Sequence, residues 1–196
     1  VVQFTISLTF IAATIIGYKH YKNVLAFDLG FDTENVLNIA LMKNKAELLK
    51  KELAEIPEVK DISTSLMITS VGNYWGTTMK YTDPLDSANV YFNTIDEHYI
   101  PLHGHKLIAG RNFIAQTDSA AESEIIVNEK VLKRFNIGHG DPLKAVGEIV
   151  IVDKKNLQIV RVMKDYHYGK STDGELKEVI FRYSSKNADY INAKVT

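Results

Sequence analysis

Three histidines crowd one nine-residue stretch, His98, His103 and His105 in EHYIPLHGH, residues 97–105. Imidazoles suit zinc, and a His-x-His pair on a strand would place both rings on one face. A hydrolytic zinc site also needs a carboxylate at a defined spacing, and no HExxH occurs. Surface histidines beside a turn account for the same cluster. A second candidate is Asp165-Tyr166-His167-Tyr168, an acid next to an imidazole, with Ser171 nearby. A nucleophilic triad requires a serine on a strained turn with an oxyanion hole, and no G-x-S-x-G is present. The bland reading is a polar cluster at a strand end. Phosphate-binding glycine loops of the G-x-G-x-x-G or GxxxxGK[ST] type are also missing, and Gly138-His139-Gly140 reads as a turn. Short basic runs such as Lys50-Lys51, Lys133-Arg134 and Lys154-Lys155 sit beside acids and read as solvated faces. The sequence thus offers no catalytic set, no cofactor site and no metal site.

Composition narrows the class further. The 196 residues allow one domain, or one domain with an appendage. A hydrophobic fraction of 45% and a charged fraction of 24% are those of a globular protein. A net charge of −1 argues against nucleic acid as a partner. Cysteine is absent, which removes disulfides, thiolate metal sites and thiol nucleophiles together.

Charge is unevenly spread. None of the 23 basic and 24 acidic residues falls in VVQFTISLTFIAATIIGY, Val1 to Tyr18. Eighteen helical residues span about 27 Å, close to the hydrocarbon thickness of a bilayer. Thr5, Ser7, Thr9 and Thr14 are tolerable there because hydroxyls bond back to helix carbonyls. Tyr18, Lys19, His20, Tyr21 and Lys22 follow, types suited to headgroups. A signal peptide would want a basic leader and a small-x-small cleavage site. A buried core helix would rarely run so far without charge. The expectation is a membrane helix whose orientation is not readable without its upstream flank; Lys19 and Lys22 mildly favour a cytoplasmic location for the part that follows, although long domains cross largely regardless of such charges.

The remaining elements follow from periodicity. The stretch 23–35 reads as a helix leaving the membrane and breaking at Gly30. Val36–Leu41 reads as a buried strand, and Asn44 with Glu47 as a capping box before a helix ending at Pro57. Strands are expected at 59–68, 78–81, 90–95, 106–108, 125–127, 148–152, 157–163, 179–183 and 190–195. A short helix is expected from Thr94 and Glu97, kinked by Pro101 and stopped at Gly104. Another is capped by Asn128 and closed by Gly138. The turn 153–156 predicts a hairpin. Strands and helices interleave irregularly, so the fold class is α+β: an N-terminal transmembrane and stalk helix, then a mixed sheet with βαβ-type units.

Several stretches, in order, resemble the large extracytoplasmic domain of MacB-like/FtsX-like ABC transporter permeases, in the version common among Bacteroidetes-type bacteria. They are Val2–Ser7 (VQFTIS), Asp28–Asp32 (DLGFD) with Glu34–Leu37, Leu107–Phe113 (LIAGRNF), Ile126–Glu129 (IVNE) and Val162–Tyr168 (VMKDYHY). The motif positions are Gly30, Gly110, Arg111, Asn128, Glu129, Asp165 and His167. The resemblance gives them structural roles, including Asp165 and His167. Met163 and Pro101 depart from the family's usual residues.

What the resemblance implies is mechanical. Residues 1–30 would be the transmembrane helix and stalk, with Gly30 the joint. Residues 31–196 would be a periplasmic core domain continuing beyond Thr196. The subunit would sit in the bacterial inner membrane, with residues after about 30 in the periplasm. A separate cytoplasmic ABC ATPase would hydrolyse ATP, and a second permease protomer would complete a dimer. A periplasmic adaptor, peptide or lipoprotein would be the object acted on. The domain itself would be non-catalytic and without cofactor. Tyr74 and Trp75, in a turn-rich loop, are candidates for partner contact, with core packing the alternative. A tethered ligand-binding sensor and a metal hydrolase on His98, His103 and His105 are the competing functions.

Overall fold

The computed structural model describes residues 2–83, 85–117, 120–169, 174–184 and 186–196. The first element, α1, runs from Val2 to Leu25. Apolar side chains point outward all round it. Phe4, Leu8, Phe10, Ile11, Ile15 and Ile16 are each more than half exposed, and none packs on the rest of the chain. A helix apolar on every side has no polar face for water and is stable only where something apolar surrounds it. Val2–Val24 is long and apolar enough to cross a membrane. Thr9 and Thr14 donate back to the carbonyls of Thr5 and Phe10 at 2.8 Å, so these hydroxyls enter the helix already satisfied. The helix ends at Leu25, earlier than the sequence suggested, and Phe27 to Gly30 runs as irregular chain.

The strands are β1 (Val36–Ala40), β2 (Val59–Ser65), β3 (Gly76–Lys80), β4 (Ser87–Ile95), β5 (Leu107–Gly110), β6 (Glu124–Asn128), β7 (Ile149–Val152), β8 (Lys155–Met163), β9 (Val179–Tyr183) and β10 (Tyr190–Val195). Helices α2 (Ala46–Ala54), α3 (Tyr99–Leu102), α4 (Glu129–Phe135) and α5 (Pro142–Ala145) lie between them. The sheet is mixed. Its strands β3, β4, β9, β6, β8 and β7 pair in succession and β7 returns to β3, which closes them into a ring. Two of these pairings, β4 with β9 and β6 with β8, are parallel. Between β6 and β8 the chain passes through α4, α5 and β7, a βαβ-type crossover with one strand added.

Alternation along each ring strand sends one set of side chains inward. Met79, Val90, Ile125, Val127, Val150, Val152, Leu157, Ile159, Val162 and Ile180 fill the interior, joined by Val131, Leu132 and Phe135 of α4. Arg182 continues the inward face of β9 beyond Ile180. It binds Glu122 through two hydrogen bonds of 2.6 Å and Asp153 through a third, with its guanidinium 5.5 Å from the Phe92 ring. A second core lies outside the ring and contains Ile95, Tyr99, Ile100, Ile126, Met163, Tyr166, Tyr168 and Phe181. Strands β2, β10 and β1 extend from β4 as an antiparallel flap, and β5 pairs with β8.

Several local readings are corrected. Asn44 does not cap α2. Lys45 holds that place without a side-chain hydrogen bond, because the chain enters from the left-handed residues Met42 and Lys43. Thr94 belongs to β4, whose pairing with β9 outweighs its capping potential, and α3 starts only at Tyr99. Strand β1 is a half-exposed sheet edge rather than a buried strand. Helix α4 stops at Asn136 in the left-handed conformation, before Gly138. The hairpin turn is the residue pair Asp153-Lys154, both left-handed, as a tightly twisted two-residue connection requires.

Gly110 shows how closely β5 approaches β8. Its φ is +84°, and an added Cβ would lie 2.2 Å from the Val160 carbonyl oxygen. Gly140 has a φ of +79°, but a Cβ there would meet nothing within 4 Å. Gly110→Ala is therefore expected to cost about 3 kcal/mol or more, and Gly140→Ala about 1 kcal/mol. Urea unfolding of the chain in detergent micelles checks this; equal costs would contradict the close approach.

Candidate functional site: the joint between helix and sheet

The segment after α1 is held against the second core by backbone and ring contacts together. The His167 N–H donates to the Leu29 carbonyl at 2.9 Å, and the Asp32 N–H donates to the His103 carbonyl at 2.7 Å. Between these bonds lies Gly30, with φ +85°. A Cβ there would stand 2.9 Å from Cβ of Tyr166. Only glycine allows both the conformation and the approach. The approach lets Phe31 lay its ring among His105 (5.0 Å, stacked), Tyr166 (5.7 Å) and His103 (5.9 Å). Phe27 meets the His167 ring edge-on at 4.7 Å. Lys194 of β10 adds an ion pair to Asp32 at 2.7 Å.

The receiving layer is aromatic and dry. Tyr99, Tyr166, His103, His105 and Phe181 stack or meet edge-on within about 6 Å of one another. The His103 ring Nδ1 lies 3.0 Å from the Asp32 carbonyl oxygen. Among the described residues, Nε2 of His103, Nε2 of His105 and the Tyr166 hydroxyl have no hydrogen-bond partner, nor do Nε and one terminal nitrogen of the buried Arg161. A small cavity of about 30 Å³ beside His103, Tyr99 and Phe31 is the size of one water. Burial pushes the His105 imidazole well below its usual pKa, with His103 and Arg161 adding to the effect. Burial also lowers His103, against the opposing influence of Asp32. Tyr99 is pushed up to about 12 by burial, and desolvation brings Arg161 down to about 10.

The histidines therefore differ from what their spacing suggested. His103 ends α3 and His105 lies in irregular chain, so no strand aligns them, and both are buried in the aromatic layer rather than at the surface. His98 alone of the three is exposed, beside Asp61 and Glu97. Among the described residues no group of three or more metal-ligating side chains converges.

The motif residues fall into three clasps around this layer. Asn128, fully buried, accepts from the N–H groups of Val131 and Val179 and donates to the Lys177 carbonyl at 2.8 Å, tying α4 to β9. Glu129 accepts from the Asp165 N–H at 3.3 Å, while Asp165 accepts from the Lys130 N–H at 2.9 Å. Burial raises the Asp165 pKa, Glu129 adding to it against the Lys130 bond. Gly110 brings β5 onto β8, and the Arg111 guanidinium forks onto the Glu124 carboxylate. Ser171, once considered beside Asp165 and His167, lies outside the described residues. Tyr74 and Trp75 stand in the loop before β3, 43% and 51% exposed, the Tyr74 ring against Tyr91 and Tyr168.

Sequence reasoning missed Phe31, Tyr99, Tyr166 and Arg161. The aromatic richness of EHYIPLHGH and DYHY was the available signal, since alternating aromatics and imidazoles in two separate stretches suit one shared layer. A broad cleft of about 1180 Å³ lies over the Arg182 side of the ring, touching Lys43, Lys45, Thr94 and Asn187. Its Arg182, Glu122 and Lys155 are engaged with one another.

A family model described as the MacB-like periplasmic core domain matches residues 7–195. The macrolide export ATP-binding/permease protein MacB of Rhodopseudomonas palustris (strain HaA2) is 24% identical over 143 residues, which is 72% of this chain and 20% of that protein. The chain thus spans about a fifth of the length of this curated relative. Among solved structures, the periplasmic region of MacB from Actinobacillus actinomycetemcomitans aligns with a TM-score of 0.59 at 14% identity, covering 86% of this chain and 76% of that one. The extracellular domain of the noncanonic ABC-type transporter YknZ from Gram-positive bacteria aligns at 0.53 and 14% identity, covering 82% and 81%. These likenesses show a shared fold.

Both buried imidazoles are neutral in the fold but charge near pH 6.5 once unfolded. The stability they contribute is complete above about pH 6.5 and is lost as pH falls toward their depressed folded pKa values, at up to about 1.4 kcal/mol per pH unit for each ring. His105→Phe is expected to flatten the decline in unfolding midpoint between pH 7 and pH 5. An unaltered pH profile in this variant would show that His105 is not held neutral.

Proposed function

The chain belongs to the MacB-like periplasmic core domain family, and from that premise we infer that it is the part of an ABC transporter permease that carries movement from the membrane to the periplasm. In this reading residues 1–30 form the transmembrane helix and stalk and residues 31–196 the periplasmic part, anchored in a bacterial inner membrane. A separate cytoplasmic ATPase subunit hydrolyses ATP, and the permease pairs with a second protomer. The output falls on an adaptor, a peptide or a lipoprotein. The domain needs no chemistry of its own, because a nucleotide-driven two-state rearrangement does its work through displacement.

The observation that supports this reading best is the joint. A stalk transmits force only where it is stiffly attached, since a flexible linker absorbs displacement. Here Leu29, Gly30, Phe31 and Asp32 are fixed by two backbone hydrogen bonds, one obligate glycine approach, one half-buried ring and one ion pair within seven residues of the end of α1. Gly110, Arg111, Asn128, Glu129, Asp165 and His167 act in this reading as braces that keep the receiving layer rigid. The sensor alternative would draw on the broad cleft. Its Arg182, Glu122 and Lys155 pair with one another instead of converging on open space, which favours the mechanical reading.

The test uses the full-length permease reconstituted with its ATPase. Phe31→Ala, and separately a Gly-Ser insertion after Tyr21, should lower ATP-driven output severalfold while hydrolysis continues and the domain stays folded. Full output in both variants would remove the lever model.

A further inference from the structure

Residues 62–79 (ISTSLMITSVGNYWGTTM) contain no charged side chain. The middle of this stretch forms an exposed loop before β3, with Val71 55%, Tyr74 43% and Trp75 51% exposed. The loop is tightly built. Ser70 adopts φ +67° and Gly72 φ +94°. The Ser70 N–H donates to the Tyr168 carbonyl at 2.9 Å, and its hydroxyl donates to the His167 carbonyl. At the far end the Trp75 N–H donates to the Tyr168 hydroxyl at 3.3 Å, and the Phe92 N–H donates to the Trp75 carbonyl at 2.9 Å. A loop fixed at both ends holds its apolar side chains outward instead of folding them away.

Its position is set by His167, which holds the joint, and by the next residue, Tyr168. His167 bonds Leu29 and packs on Phe27, itself 37% exposed, while Tyr168 bonds the loop. The loop therefore starts at Ser70 on the same His167 whose N–H holds Leu29, on the chain leaving α1. The end of α1 carries exposed Tyr18 and Tyr21, with Lys22 lying 5.7 Å from the Tyr18 ring. Tyr and Trp are the side chains enriched where a protein meets the membrane–water boundary, because each has an apolar body and a polar tip. An uncharged, aromatic, rigidly held loop beside the exit of an all-round apolar helix matches that boundary better than it matches water.

We propose that Val71, Tyr74 and Trp75 seat in the headgroup region of the bilayer that α1 crosses, giving the domain a second contact with the lipid surface beside its helix. This rests on the reading that α1 spans the membrane. Two attachment points fix the tilt of the domain as well as its distance, so movement of the helix becomes rotation about the seated loop.

Trp75 is the single tryptophan of the chain, so its emission reports the loop alone. The full chain is reconstituted into phosphatidylcholine/phosphatidylglycerol vesicles, with and without acyl chains brominated near the headgroup. Flotation reports anchoring by α1, and quenching of Trp75 reports the loop. The expected result is flotation with at least twofold quenching and a blue-shifted emission. Val71→Glu should float equally well, keep its far-ultraviolet spectrum and lose most of the quenching. Flotation with Trp75 unquenched and freely open to acrylamide overturns the seating, leaving the anchor intact and assigning the loop to water or a protein partner. Failure to float overturns the anchor reading and the seating with it.

Discussion

The close passage of Gly30 over Tyr166 is the constraint on which the rest depends. With no Cβ, the chain leaving α1 comes within van der Waals contact of the Tyr166 backbone. That proximity brings the Leu29 carbonyl to the His167 N–H and the Phe31 ring into the histidine–tyrosine layer. Any larger residue would lift the segment, and the backbone bonds and ring contacts would be lost together. An apolar helix with no packing of its own thus acquires a defined attachment through a few short contacts rather than a large interface.

Much of the fold was legible. Apolar runs bounded by turns located β6 to β10 almost to the residue, with alternation visible only in β7 and the start of β8, because β6 and β9 are buried on both faces. Asn128 was readable as a cap, and the structure shows that the same side chain also ties down β9. Ring closure was not legible. The parallel pairing of β4 with β9 joins residues more than eighty positions apart, and nothing local in either strand encodes its partner. The capping-box readings at Asn44 and Thr94 failed for a related reason: tertiary pairing and left-handed backbone took precedence over a local hydrogen-bond preference.

The site was legible only in part. Sequence motifs marked the braces at Gly110, Asn128, Glu129 and Asp165, whose chemistry is local hydrogen bonding. They did not mark the layer those braces surround. His103 and His105 looked like surface residues because imidazole usually seeks water. Burial here relies on ring stacking, which a linear pattern does not display. Arg161 is the extreme case, a guanidinium buried near the end of β8 without an acidic partner among the described residues. Even so, desolvation lowers its pKa only to about 10, so it stays protonated at neutral pH.

The two cores consequently differ in kind. The buried residues of the ring interior are aliphatic or thioether side chains apart from Phe135, with Tyr81 and Phe92 at the margin and Arg182 paired to Glu122 at the edge. The outer layer holds several unpartnered polar atoms and two imidazoles kept neutral by burial, each raising its energy relative to an apolar equivalent. In the mechanical reading proposed above, displacement along α1 would enter the outer layer first, through Phe31, and not the ring. The clasps at Asn128 and at Glu129 with Asp165 would then hold that layer in place against the ring.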